Sequence, residues 1–227
     1  MAGQKQSRGV CLFCKKETTK GAMTRHLLSC PRRLEAVDLA QTRRGDEETL
    51  LHLRVQDAYA KEFWLDLEMR GAAPLKKLDE YLRAVWLECC GHLSEFSSGG
   101  WGGRKIGMSQ TALKAFSASP QLTHIYDFGT SSETLVTLVA VREGQALSKN
   151  PMVLMARNLM PEVVCQSCET ISTHLCMECQ YEDQKPGFLC AEHVKKHPHK
   201  NYGKPLKLVN SPRLGMCGYS GPAKPPY

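Results

Sequence analysis

From Leu50 onward the chain alternates. Leu51, Leu53 and Val55 take every second position, and after Asp57-Ala58-Tyr59-Ala60-Lys61 the alternation resumes with Phe63, Leu65, Leu67 and Met69. A period of two puts one set of side chains on one face of a pleated strand, so the pattern predicts an antiparallel pair with a single apolar face. Behind Pro74 the period changes, and Leu75, Leu78, Leu82, Val85, Trp86 and Cys89 recur at three and four. Proline suits a first helical turn, so this stretch predicts a helix whose one apolar stripe packs onto the sheet. Cys89 and Cys90 point apart on such a helix, offer no chelate, and are expected as buried thiols.

Ser97-Ser98-Gly99-Gly100-Trp101-Gly102-Gly103 is too rich in glycine for regular structure and reads as an exposed loop. A further helix is predicted over residues 109–116, and strands over residues 122–128, 134–141 and 152–156. The fold class expected is α+β, an antiparallel sheet with helices packed on one face. Basic residues give way to acidic ones across Gln41-Thr42-Arg43-Arg44-Gly45-Asp46-Glu47-Glu48, where glycine breaks the pattern and a linker fits. The expected organisation is thus a basic segment at 1–44, a central domain at 48–160, and a third unit at 161–227. The tail of that unit, from Gly218, is rich in Pro and Gly and expected to be poorly ordered.

Charge sharpens this picture. The 227 residues carry 30 Lys or Arg against 23 Asp or Glu, a formal net charge of +7. Residues 1–44 hold ten of the basic residues against Glu17, Glu35 and Asp38, while the other 183 balance at twenty against twenty. Segregation of this kind is the electrostatic footprint of a small nucleic-acid-binding arm, and solubility explains it poorly. The candidate contacts are Lys15, Lys16, Lys20, Arg25, Arg32, Arg33, Arg43 and Arg44. No run approaches 18 apolar residues, so no membrane span is expected. The opening Met1-Ala2-Gly3-Gln4-Lys5 is polar and lacks an apolar core, so a signal peptide is not expected either.

The cysteines carry the chemistry. Cys165-x2-Cys168-x7-Cys176-x2-Cys179-x10-Cys190-x2-His193-x3-His197-x-His199 supplies eight donors at chelating spacing. A two-residue gap lets both side chains of a pair converge on one ion, and disulfides give no reason for interleaved histidines, so two zinc ions are expected. In a cross-brace, Cys165, Cys168, Cys190 and His193 would share one ion and Cys176, Cys179, His197 and His199 the other; spacing alone leaves that partition open. The rhythm resembles a B-box, which implies a module for protein interaction, and Lys195, Lys196, Lys200, Lys204 and Lys207 give it a basic rim. Near the other end, Cys11-x2-Cys14-x11-His26-x3-Cys30 has the ligand order of a Cys3His zinc finger, with His26 and Cys30 one helical turn apart and Phe13, Met23 and Leu27 as its small core. Three zinc ions per chain are therefore expected, and metal binding should supply the folding free energy of modules this small.

The central region also resembles a known family. The strand Leu51-His52-Leu53-Arg54-Val55, the helix Leu78-Asp79-Glu80-Tyr81-Leu82 leading to Gly91-His92-Leu93-Ser94-Glu95-Phe96, and the piece Ile125-Tyr126-Asp127-Phe128-Gly129 occur in the order found in the Ri-plasmid ORF-three-like proteins, transposon passengers also given a TnpR-type name. The tail Asn210-Ser211-Pro212-Arg213-Leu214-Gly215-Met216-Cys217-Gly218-Tyr219 is similar as well. The resemblance spans residues 48–221, leaves the first finger outside, and departs at Thr130, Ser131 and Ser132, where the family carries Asp and Trp. It implies an architecture and an association with mobile elements, but no activity. No activated Ser or Tyr with arginines at a scissile phosphate is visible, so the TnpR-type name does not imply a resolvase here.

Other motifs weigh less. Asp127-Phe128-Gly129 imitates the magnesium motif of kinases, yet no glycine-rich phosphate loop, strand lysine or catalytic-loop Asn accompanies it. His92 and Glu95 are expected as a structural hydrogen-bonding pair. Cys217 stands alone, either a zinc donor or a packing thiol. The function expected is a zinc-dependent, cytoplasmic nucleic-acid-binding protein that is not an enzyme, with DNA favoured over RNA. If the finger helix follows the usual three-base frame, Thr19, Ala22 and Arg25 face the groove and only Arg25 reads a base strongly, so specificity should be weak or shape-based. The alternatives are an adaptor that binds a protein partner through its C-terminal module, and an enzyme with a site around His92, Glu95 and Asp127.

Overall fold

The computed structural model describes residues 6–87, 91–216 and Tyr219. The expectations for Cys89, Cys90 and Cys217, and for the tail apart from Tyr219, lie outside the described residues. In chain order the N-terminal elements are β1 (Arg8–Cys11), β2 (Glu17–Thr19), α1 (Lys20–Ser29) and α2 (Pro31–Gln41). There follow β3 (Glu48–Asp57), β4 (Trp64–Arg70), α3 (Leu75–Leu82) with a π-helical turn (Arg83–Leu87), β5 (Ser94–Ser98), β6 (Arg104–Ile106), α4 (Ala112–Ala118), β7 (Gln121–Tyr126), β8 (Ser132–Gly144) and β9 (Met152–Asn158). The C-terminal elements are short: β10 (His174–Leu175), α5 (Met177–Tyr181), β11 (Phe188–Leu189), a 3-10 turn (Val194–Lys196) and β12 (Leu206–Lys207).

The fold is α+β and centres on a nine-stranded antiparallel sheet of order β2-β1-β9-β4-β3-β8-β7-β5-β6. Its middle strands obey the alternation: Leu51 lies opposite Met69, Leu53 opposite Leu67 and Val55 opposite Leu65. With Phe63 these side chains point into the main core, where Leu75, Leu78, Leu82, Val85 and Trp86 meet them. α4 adds Ala112, Ala115 and Phe116 to the same core. It begins later than the expected residue 109 because the Thr111 hydroxyl accepts from Lys114 N at 3.4 Å, the geometry of an N-cap. The glycine-rich stretch is the tip of a hairpin, since Phe96, Ser97 and Ser98 pair with Ile106, Lys105 and Arg104.

The opposite face of the sheet is covered as well. β1 pairs with β9, Val10 lying opposite Arg157, so the N-terminal segment is hydrogen-bonded into the central sheet. Trp64, which alternation turns away from Leu65, joins Met23 and Leu27 of α1 in a second core. Asp66 and Glu68 share that outer face and are buried. Buried carboxylates need partners. Asp66 accepts from Arg54 Nε and Nη2 at 2.9 Å each and lies 2.8 Å from His52 Nε2, while Glu68 accepts from Arg142 at 2.7 and 2.9 Å and faces Arg33 at 3.4 Å.

The residues after β12 return to the main body. Ser211 Oγ donates to Trp86 O at 2.5 Å and Tyr219 Oη to Val85 O at 2.7 Å. Both acceptors are carbonyls of the π-helical turn, which a helix end would otherwise leave without partners. Asn210 exchanges hydrogen bonds with Asn158 of β9, as donor at 2.9 Å and as acceptor at 2.7 Å.

Candidate metal centres

The first centre is a strand, a knuckle, a strand and a helix. Cys11 ends β1, and the knuckle closes where Lys15 N donates to Cys11 O at 2.8 Å and Cys11 N to Lys16 O at 3.0 Å. Thr19 caps α1, its hydroxyl accepting from Ala22 N at 3.4 Å. The helix then delivers His26 toward the knuckle, with Cys30 at its C-terminal cap. Cys14 Sγ lies 3.2 Å from His26 Nε2, and Cys11 Sγ lies 3.9 Å from Cys30 Sγ. A tetrahedral ion with Zn–S of about 2.3 Å and Zn–N of about 2.0 Å requires edges of about 3.8 Å between sulfurs and about 3.5 Å from sulfur to nitrogen. The donors fit that figure. Burial pushes the Cys11 thiol up to about 11, so a thiolate at this depth needs a cation beside it.

The finger is not self-contained. Its core of Cys11, Met23, Leu27 and Cys30 is completed by Trp64 of β4 and by Met155 and Ala156 of β9. Gly9 permits this approach, because a Cβ there would collide with Arg157 O and the Trp64 ring. Arg54 secures the helix from below, reaching Thr24 Oγ1 at 2.9 Å and stacking over Trp64 at 4.8 Å.

Two further centres lie in the C-terminal unit. Cys165, Cys168, Cys190 and His193 form one group and Cys176, Cys179, His197 and His199 the other, which is the cross-brace partition. In all three centres the donor atoms lie within 4.8 Å of one another. His193 Nδ1 sits 3.4, 3.5 and 3.3 Å from Cys165, Cys168 and Cys190. Cys179 Sγ lies 3.4 Å from both His197 Nε2 and His199 Nδ1, and Cys176 Sγ 3.7 Å from His199 Nδ1. Backbone amides hold the sulfurs: Cys176, Cys190 and Cys165 accept from Cys179 N, His193 N and Ser167 N at 3.5 Å each. Three clusters of Cys and His could therefore each hold a metal ion. Each presents four protein donors and leaves no coordination position for a substrate or reactive water, which is the construction of a structural site.

The basic residues divide. Lys15, Lys16, Arg25, Arg32, Arg43 and Arg44 are exposed. Arg33 leaves the set of phosphate contacts: only 7% of it is exposed, and it spends its guanidinium on Glu68 and on Leu27 O. Lys20 is half-buried, with its ammonium donating to Gln56 Oε1 at 2.6 Å and Lys61 O at 2.9 Å. Arg43 reaches Ala146 O and Leu147 O, and Arg32 pairs with Glu35 at 2.8 Å.

The expected pairing of His92 with Glu95 is not formed. Glu95 meets Lys105 at 2.7 Å, because β5 and β6 place them across one hairpin, and His92 Nδ1 instead lies 3.4 Å from Asp127 Oδ2. Around that contact is a polar cluster that the sequence did not announce. Asp79 Oδ1 accepts from Ser94 Oγ at 2.6 Å, lies 2.7 Å from His124 Nε2 and faces Arg83, while Arg213 faces Asp127 at 3.3 Å. Arg83 and Arg213 both lie over the Tyr126 ring, at 4.9 and 5.4 Å. Burial opposes ionisation of Asp79, but the hydrogen bonds from His124 and Ser94 and the Arg83 charge together hold its carboxyl below the usual range. Among the described residues, Asp79 and Asp127 facing Arg83 and Arg213 tie α3, β5, β7 and the returning tail together.

No protein-family model matches the chain, and no curated protein matches it. Among solved structures, a protein of unknown function, MM3350 from Methanosarcina mazei Go1, matches with 17% identity over 48% of this chain and 69% of its own length, at a TM-score of 0.41. That likeness is too loose to carry function to this chain.

Proposed function

We propose that the chain is a zinc-dependent nucleic-acid-binding protein whose three metal centres are structural and whose contacts are made by exposed cations. One observation carries the reading: the whole net charge of +7 resides in residues 1–44, and docking of the finger leaves six of its eight candidate contacts at the surface. Salt-sensitive attraction to a phosphate backbone follows from such a surface. In the C-terminal unit a groove of about 530 Å³, lined by Lys195, Lys200 and Lys204 beside His197 and His199, offers further cations. Arg25 stands exposed on α1, and a side chain on a helix can enter the major groove of duplex DNA but not the deep, narrow one of A-form RNA. This favours DNA, with weak or shape-based specificity, because Thr19 and Ala22 are half-buried. Thiolate ligands favour a reducing compartment such as the cytoplasm. Association with a mobile element rests on the sequence resemblance to the Ri-plasmid ORF-three-like proteins.

The test uses the full chain. Replacing Arg32, Arg43 and Arg44 by Ala should weaken binding to unrelated duplexes alike and flatten the slope of log affinity against log salt by up to about 0.9 per lost contact. Arg33 is left in place, since it is buried against Glu68 and does not belong to the surface cations. Absence of binding at low salt, or binding indifferent to salt, would reject the reading in favour of a protein adaptor.

A further inference from the structure

The β5–β6 hairpin carries a tryptophan at its tip. Gly99, Gly100 and Gly102 adopt φ values of 100, 75 and 74°, a region that favours glycine. The tip is also tied internally, with Ser97 Oγ and Gly103 N both donating to Gly100 O, at 2.6 and 3.1 Å. Trp101 at its apex is 48% exposed and stands edge-on to Phe128, itself 43% exposed, with ring centroids 5.5 Å apart and planes at 70°. On the same end of the sheet Tyr59, 75% exposed, donates its hydroxyl to Glu133 Oε1 at 2.7 Å. The other oxygen, Glu133 Oε2, lies 3.7 Å from where a side chain on Gly100 would begin. Among the described residues no cation is paired with Glu133, and Lys105, close by in the hairpin, is occupied by Glu95.

Trp101 and Phe128 stand edge to face, Tyr59 is bonded to Glu133, and Glu133 lies beside the hairpin tip, so exposed rings neighbour a carboxylate that no cation among the described residues neutralises. That chemistry attracts an ammonium or guanidinium group. We infer that Tyr59, Trp101, Phe128 and Glu133 form a docking site for a lysine- or arginine-bearing segment of a partner protein. Charge complementarity selects that occupant over unpaired nucleobases, which a bare carboxylate would repel through their phosphates. The openness of the patch calls for a segment with neighbouring contacts, since a lone cation would remain largely in water. This surface is made of other residues than the basic arm, so the inference holds whether or not nucleic acid binds there.

Trp64 and Trp86 are fully buried, which makes Trp101 the fluorophore that reports on this site. Titrating the zinc-loaded full chain with an oligolysine peptide should give a saturable change in tryptophan emission, with tetramethylammonium producing a weaker one. Glu133→Gln should weaken oligolysine binding by about tenfold, and so should Phe128→Ala. Tyr59→Phe should weaken it less, and Glu192→Gln, a carboxylate of the C-terminal unit, should leave it unchanged. Circular dichroism matching the wild type would show each variant folded. Absence of a saturable response to oligolysine, or a folded Glu133→Gln that binds as the wild type does, overturns the inference. A response to single-stranded oligonucleotide in its place overturns it in favour of base stacking.

Discussion

At the scale of single residues, the structure is governed by which charge finds which partner once the chain is folded. Asp79 is the sharpest case, buried against His124, Ser94 and Arg83. Asp79→Asn keeps the shape but removes the charge that Arg83 faces, and should cost about 3 kcal/mol in denaturant unfolding. Because the folded carboxyl titrates below the ~3.9 of an unfolded Asp, its contribution is complete above that pH and fades as the pH falls further. The variant should accordingly lose the acid-side fall in stability that this group causes in the parent; an unchanged pH–stability curve would assign that fall elsewhere. Pairings of this kind were the least legible part of the sequence. His92 sits three residues from Glu95, yet its partner is Asp127, and Arg33 looked like one more surface cation until Glu68 claimed it. Local spacing cannot see a partner 35 positions away.

At the scale of elements, legibility followed periodicity. β3, β4 and α3 could be read because each buries one face and therefore repeats at two or at three and four. Leu82 lies fully within the core that those elements share, and Leu82→Ala should cost about 2 to 5 kcal/mol by chemical denaturation; a loss below 1 kcal/mol would contradict its burial. The hairpin β5–β6 escaped notice because Ser94, Glu95, Ser97 and Ser98 show no apolar alternation. β10, β11 and β12 escaped for another reason. Strands of two residues leave no period at all, and Cys176 and Cys190, which follow β10 and β11 directly, belong to the two clusters. Donor spacing was legible where strand patterning was not, since four ligands converging on one ion constrain sequence gaps more tightly than a short ladder does. Cys176→Ser should therefore release the C-terminal unit to proteolysis while the central sheet stays protected. Equal resistance in mutant and parent would mean that the unit folds without its metal.

At the scale of the whole molecule, the expected N-terminal arm proves to be an edge of the central sheet. Charge asymmetry and ligand order identified the finger, but nothing local to residues 1–44 could reveal that Trp64, Met155 and Ala156 complete its core. Native mass spectrometry of protein purified without chelator should find three ions per chain, and one or none would remove the basis for the metal reading. Stripping the metal should also lower the melting temperature of the central domain, since Trp64, Met155 and Ala156 of its sheet are packed against the finger. The same pairing has a consequence for synthesis. β1 leaves the ribosome well before its partner β9, which lies nearly 150 residues later. Until β9 emerges, β1 has no strand of the central sheet to pair with, and the sheet can be completed only when this long-range pair closes.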